Sequence, residues 1–155
     1  GLDAGRKICI LADLAWGREV RPGDIEIQGI RSITPGDVEA AGKDGQVIKL
    51  VGRAVRNAGG SVSACVRPHL LSAEHPLAAA NGVFNAVMVR GNAVGDVMFY
   101  GRGAGDLPTA SAVMGDILDA LDHRAKRRDL GWSEGADIRP FPHRLKAGTA
   151  LPVLL

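Results

Sequence analysis

QVIKLVGRAVR (residues 46–56) and SVSACVR (residues 61–67) flank Asn57-Ala58-Gly59-Gly60. Two runs rich in β-branched residues around a short glycine-ended turn predict an antiparallel hairpin. Val62, Ala64 and Val66 alternate with Ser61, Ser63, Cys65 and Arg67. That alternation predicts one buried sheet face and one at least partly polar face. A second pair of strands, Val83–Arg90 and Gly95–Tyr100, surrounds Gly91-Asn92-Ala93-Val94. Val83, Val87 and Val89 lie on one side of the first of these and Phe84, Ala86 and Met88 on the other, so it reads as a central strand covered on both faces.

Helical signals bracket the hairpins. Leu2 to Trp16 carries a broad apolar face from Leu2, Ile10 and Leu14 with Ile8, Leu11 and Ala15, and Gly17 supplies a stop. Arg18 to Gly23 reads as loop and Asp24 to Ile30 as a short extended piece. Thr34-Pro35-Gly36-Asp37 has a capping threonine, a proline suited to the first helical position and an acid for the first turn, so a helix is predicted from there to about Gly42. Ser72 opens a short helix through Ala80. From Pro108 to about Arg124, Ala110, Val113, Met114, Ile117, Leu118 and Leu121 form one stripe. The predicted fold class is α+β: a mixed, largely antiparallel sheet of about four to five strands with helices packed on one face. Residues 1–125 read as one domain and residues 126–155, with prolines at 140, 142 and 152, as an irregular tail or linker.

Composition excludes several classes. A formal charge of +2 and 4% aromatic residues leave neither the field nor the stacking surface for nucleic acid. No run approaches the roughly 20 apolar residues of a membrane span, and a cytoplasmic location is expected. Cys9 and Cys65 fall in helix and strand patterns and read as buried small hydrophobes of a reduced compartment. His69, His75, His123 and His143 lack partners at metal-ligand spacing, so no metal is expected.

Gly101, Gly103 and Gly105 alternate between the last strand and the last helix. Glycine accepts positive φ and close backbone approach, and free amides open the helix, so a ligand can be met there. The same spacing also suits a tight strand-to-helix turn. It is not the dinucleotide fingerprint: the position three after Gly103 is Asp106. On the opening helix, Asp3 and Lys7 are four residues apart and share a face, able either to address one small molecule or to form a solvated pair.

Four blocks together resemble the catalytic, substrate-binding domain of the homoserine dehydrogenase family. They are Gly1 to Lys7, Gly29 to Thr34, His75 to Ala78 through Gly82 to Val87, and Phe99 to Gly105 through Pro108 to Val113. The resemblance covers about residues 1 to 121. It implies interconversion of L-homoserine and L-aspartate 4-semialdehyde with NAD or NADP, in threonine, methionine and isoleucine biosynthesis. It makes Lys7 the catalytic acid/base and Asp3 a substrate-binding residue. Gly105 becomes the position approaching the nicotinamide cofactor, with Gly103 and Ala104 beside it. It further implies a homodimer formed through the sheet. The nucleotide-binding domain and a substrate-contacting glutamate are expected upstream of residue 1, so that residues 1–155 alone are expected to be inactive. Two other readings stand beside it. An acylating semialdehyde dehydrogenase needs an exposed, activated cysteine, which the buried patterns of Cys9 and Cys65 disfavour. A dimerisation or scaffold domain keeps the fold without the chemistry.

Overall fold

In a computed structural model, residues 1–122 and 152–154 are described; for the last three, only the backbone strand is. The order is α1 (Leu2–Trp16), β1 (Glu26–Ile27), α2 (Pro35–Lys43), β2 (Gln46–Arg56), β3 (Val62–Ser72), β4 (Phe84–Gly91), β5 (Gly95–Arg102), α3 (Asp106–Asp122) and β6 (Pro152–Leu154). Two 3-10 turns, Pro22–Asp24 and Pro76–Ala79, fill connections. The strands form one sheet in the order β1-β3-β2-β6-β4-β5. β1 pairs parallel to β3, and the other pairings are antiparallel. The class is the α+β one read from sequence.

Both expected hairpins form. β2 and β3 run in register from Arg56↔Val62 to Gln46↔Ser72, so β3 continues five residues beyond the predicted Arg67. β4 and β5 pair from Gly91↔Gly95 to Phe84↔Arg102. The sheet has one strand more than the upper expectation, because Pro152–Leu154, within the stretch read as an irregular tail, lies between β2 and β4. Its three residues carry too little periodicity to identify a strand. The rest of that tail, His143 included, lies outside the described residues, as does His123 before it.

α1 and α2 cover the same sheet face. Ile8, Cys9 and Ala12 of α1 pack with Val20, Ala54, Val62, Ala64 and Val66, and Leu50, Val87 and Val89 border this core. α1 ends as expected, on Gly17 at φ 62°. The buried side of α1 differs from the expectation: Leu2, Ile10 and Leu14 are exposed. Of the expected face, Ile8 is buried and Leu11 partly so; the rest of the contacting side is Gly5, Cys9, Ala12 and Asp13, several of them small enough to let helix and sheet approach closely. α2 has its predicted cap: Thr34 Oγ1 accepts from Asp37 N at 3.2 Å and Asp37 Oδ2 accepts from Thr34 N at 2.8 Å.

Further expectations are corrected. The second face of the β3 alternation is partly polar, as expected, but more enclosed than the pattern suggests: Ser61, Ser63 and Cys65 are buried, and Arg67 is half-buried. Asn57 Nδ2 donates to both serine hydroxyls at 3.0 Å, which offsets their desolvation. The helix expected from Ser72 is only the 3-10 turn Pro76–Ala79, opened by His75, whose Nδ1 accepts from Leu77 N at 3.2 Å. β4 is not fully covered, since only Ala86 and Met88 are buried along it. α3 begins two residues before Pro108 and none of its residues is buried.

Candidate functional site

A cleft opens where the sheet is incomplete. β6 reaches β2 at Arg53–Val55 and β4 at Met88–Val89. Towards the start of both strands, Lys49–Val51 and Phe84–Val87 face one another across a cleft of about 410 Å3, closed further by Leu77 and Ala80. The first two turns of α1 contribute Asp3, Ala4 and Lys7 to its wall. The volume is that of a small-molecule site.

A glycine seats those turns. A Cβ at the buried Gly5 would lie 2.5 Å from Cδ1 and 3.3 Å from Cγ1 of Ile27, so α1 rests so close to β1 that any larger residue requires the Ile27 side chain to shift. That contact fixes the helix end from which Asp3 and Lys7 reach the cleft. Lys7 Nζ lies 2.8 Å from Asp3 Oδ2, with the side chains 53% and 79% exposed. The hydrogen bond from Lys7, and then its charge, hold the Asp3 carboxyl below the ordinary carboxylate value. The pair is therefore an ionised carboxylate bound to an amine at the mouth of a hollow.

Sequence reasoning missed two polar side chains in the same wall. Lys49 Nζ donates to Ala80 O at 2.7 Å and to Asn81 Oδ1 at 2.6 Å, tying β2 to the segment that closes the cleft. Asn85 joins the lining from β4. A lone asparagine inside Val83–Val89 was the available signal. Phe84 completes that wall: its ring stacks on Tyr100 at 4.9 Å between centroids, and the Arg102 guanidinium lies 5.4 Å from its centroid.

The glycine bend joins this site through Asn85. Gly103 N donates to Val83 O at 3.0 Å, pinning the bend to the entry of β4. A Cβ on Gly103 would meet the Asn85 carboxamide head on, 2.7 Å from its Cγ. Gly105 has φ 124°, a conformation for which glycine is suited, and its carbonyl accepts from Thr109 N at 3.1 Å as α3 begins. The structure thus brings Asp3 and Lys7 together in the cleft wall and sets Gly103 against a residue of that wall. Ala104 and Gly105 follow in the bend and do not line the cleft.

Other hollows and thiols are chemically less suited. A hollow of about 490 Å3 beside α2 has Asp37, Asp44 and His69 in its lining but no lysine. Asp37 is there engaged in the helix cap. Cys9 and Cys65 are free and buried. Burial raises both thiols, Cys9 to about 11, so neither is an activated nucleophile. Among the described residues, no helix is long and apolar enough to cross a membrane.

The homoserine dehydrogenase family model matches residues 1–118. The homoserine dehydrogenase of Synechocystis sp. is 49% identical over 124 residues, covering 78% of this chain and 29% of that protein. That of Bacillus subtilis is 45% identical over 140 residues, 90% of this chain and 31% of that protein. Among solved structures, a homoserine dehydrogenase from Thiobacillus denitrificans superposes with a TM-score of 0.77 at 35% identity, covering 90% of this chain and 34% of that one. The S. aureus homoserine dehydrogenase at pH 7.5 gives 0.71 at 39% identity, over 82% and 31% respectively. This chain therefore spans about a third of the length of these relatives, and it belongs to the homoserine dehydrogenase family.

Proposed function

We propose that this chain is the substrate-binding portion of an NAD(P)-dependent homoserine dehydrogenase, interconverting L-homoserine and L-aspartate 4-semialdehyde in threonine, methionine and isoleucine biosynthesis. The observation that carries the reading is the Asp3–Lys7 pair at a cleft whose wall abuts the glycine bend. A bound nicotinamide supplies or accepts the hydride. The residues present suit that end of the cofactor: Gly103 and Gly105 leave the bend without side chains. Asp106, in the first turn of α3, disfavours a phosphate there but tolerates a cationic ring.

The residues of this chain do the proton work. Lys7 Nζ, as an ammonium, stabilises negative charge growing on the aldehyde oxygen and delivers a proton to it. In the alcohol direction a neutral Lys7 takes the hydroxyl proton. Asp3 remains ionised because Lys7 lowers its pKa, so it accepts hydrogen bonds from the polar groups of homoserine. Lys49, held by Ala80 O and Asn81 Oδ1, keeps the far wall in place.

The main nucleotide contacts and a substrate-contacting glutamate belong to a preceding portion, and the assembled enzyme is a cytoplasmic homodimer. A second reading, a dimerisation or scaffold domain without chemistry, is favoured by the exposed apolar residues of β5 and α3. Replacing Lys7 with Ala in the full-length dehydrogenase separates the two. The enzyme reading expects kcat to fall about 100-fold or more while cofactor affinity and folding persist; unchanged turnover favours the scaffold. Residues 1–155 alone are expected to show no NAD(P)H-dependent turnover of aspartate semialdehyde, and steady turnover would refute the need for a nucleotide-binding partner segment.

A further inference from the structure

Gly103 and Gly105 are glycines for different physical reasons. Gly105 stands at φ 124°, where side chains are disfavoured by the backbone itself. Gly103 is outside the left-handed region, so its backbone conformation tolerates a Cβ. What stands in the way of one is the Asn85 side chain, which would have to move: a Cβ would fall 2.7 Å from Asn85 Cγ and 3.5 Å from its Cβ, with the carboxamide nitrogen closer still. Asn85 is thus laid directly on the α-carbon of Gly103.

Asn85 also faces the cleft. On β4 it shares the parity of Val87 and Val89, which border the α1 core, and it lines the same hollow as Asp3 and Lys7. Its register partner on β5 is Gly101, which leaves the carboxamide free to lean over the bend. A polar group of this kind within the run Phe84–Val89, whose other residues are all apolar, adds nothing to the sheet that valine would not supply.

We infer that Asn85 is a positioning residue, fitted against Gly103 so that the glycine bend is held at the edge of the Asp3–Lys7 cleft and the cofactor end is set against the substrate. The inference rests on the dehydrogenase reading above and adds a residue and a steric code to it. Removal of the Asn85 side chain frees the bend to drift, which weakens the cofactor's placement while leaving the substrate pair intact. A Cβ on Gly103 displaces the bend by collision. In the absence of the Asn85 side chain the same Cβ has room.

The test is a double-mutant cycle in the full-length dehydrogenase, with Asn85→Ala, Gly103→Ala and the double variant, reading KM for NAD(P), KM for homoserine, kcat and the thermal midpoint. Each single variant is expected to raise the cofactor KM about tenfold and to hold the homoserine KM within about twofold. In the double variant the cofactor KM is expected to stay within about twofold of Asn85→Ala alone, because the second change meets vacant space. Multiplying effects in the double variant, or single variants whose cofactor KM does not move, overturn the proposal. An effect confined to thermal midpoint and kcat, with both KM values unchanged, assigns Asn85 a packing role and also overturns it. If Gly103→Ala fails to fold, recovery of folding when it is combined with Asn85→Ala, with a cofactor KM within about twofold of Asn85→Ala alone, supports the proposal, and failure with and without Asn85→Ala refutes it. A full-length protein without NAD(P)-dependent turnover before any substitution would remove the underlying reading itself, a result distinct from normal turnover with an unmoved cofactor KM.

Discussion

The half of the molecule formed by α1, β2 and β3 builds a buried core, although Leu2, Ile10, Leu14 and Leu70 stay exposed on it, whereas the half formed by β5 and α3 buries none of its apolar residues. Ile8, Ala54, Val62 and Val66 are wholly buried. Phe99 on β5 is 64% exposed, and Leu118 on α3 is 58% exposed, on a helix with no buried residue. Both halves have the hydrophobic periodicity of covered elements. Periodicity therefore identifies which face needs cover, and says nothing about whether the cover lies within the same stretch of chain.

This contrast is broken most sharply by paired truncations of this chain followed in denaturant. Ile8→Ala opens a cavity in the shared core and is expected to cost about 2–5 kcal/mol. Leu118→Ala is expected to stay within about 0.5 kcal/mol, as at an ordinary surface site. Equal losses would mean that α3 is packed in solution and would erase the distinction between the halves.

A smaller effect is expected where α1 meets β1. Gly5→Ala forces Ile27 aside, with an expected loss of about 1–3 kcal/mol by overpacking. The same change in the full-length enzyme shifts the helix end that bears Asp3 and Lys7, so kcat should fall with stability. A stable, fully active variant would show that the seat of α1 does not align the pair.

The smallest effect sharpens the picture of the covered half at its rim. Thr34→Ala removes one side of the α2 capping box and is expected to cost about 0.5–2 kcal/mol. Thr34 also holds the Asp37 carboxyl below its ordinary value, first through its backbone N–H and then through its hydroxyl. A depressed folded pKa adds stability that is fully present above the unfolded value of 3.8 and is lost as pH falls through the lower folded value. Acid titration of Asp37→Asn should therefore show a shallower loss of stability below about pH 4 than the parent chain. An identical acid slope would mean that the cap does not hold Asp37 in its charged form.

Local chemistry made much of the fold legible. Thr34 with Pro35 and Asp37 specified a helix start, Gly17 a helix stop, and the glycine-ended turns two hairpins. These features act over a few residues. Which side of α1 would be buried was not legible, because Leu14 and Ile8 look alike until the sheet selects the face with small residues. Ser63 escapes the alternation rule for a similar reason: its burial depends on Asn57, across the turn. In the site, the spacing of Asp3 and Lys7 suggested their pairing, and the glycine pattern marked the bend. Lys49 was not legible, and Asn85 only as a lone polar residue in an apolar run, since each gains its role from a neighbour more than fifteen residues away in sequence.

β6 gives the sheet an unusual closing step. β2 with β3 and β4 with β5 are local hairpins, formed across turns of a few residues. The strand that joins them pairs Arg53 with Leu154, so the slowest and most entropically demanding contact in folding is also the one that makes two ribbons into a single sheet. Before that contact forms, the slot between Arg53–Val55 and Met88–Val89 presents unsatisfied backbone edges. Any extended segment able to occupy it competes with the native strand, which makes this slot the place where misassembly during folding would begin.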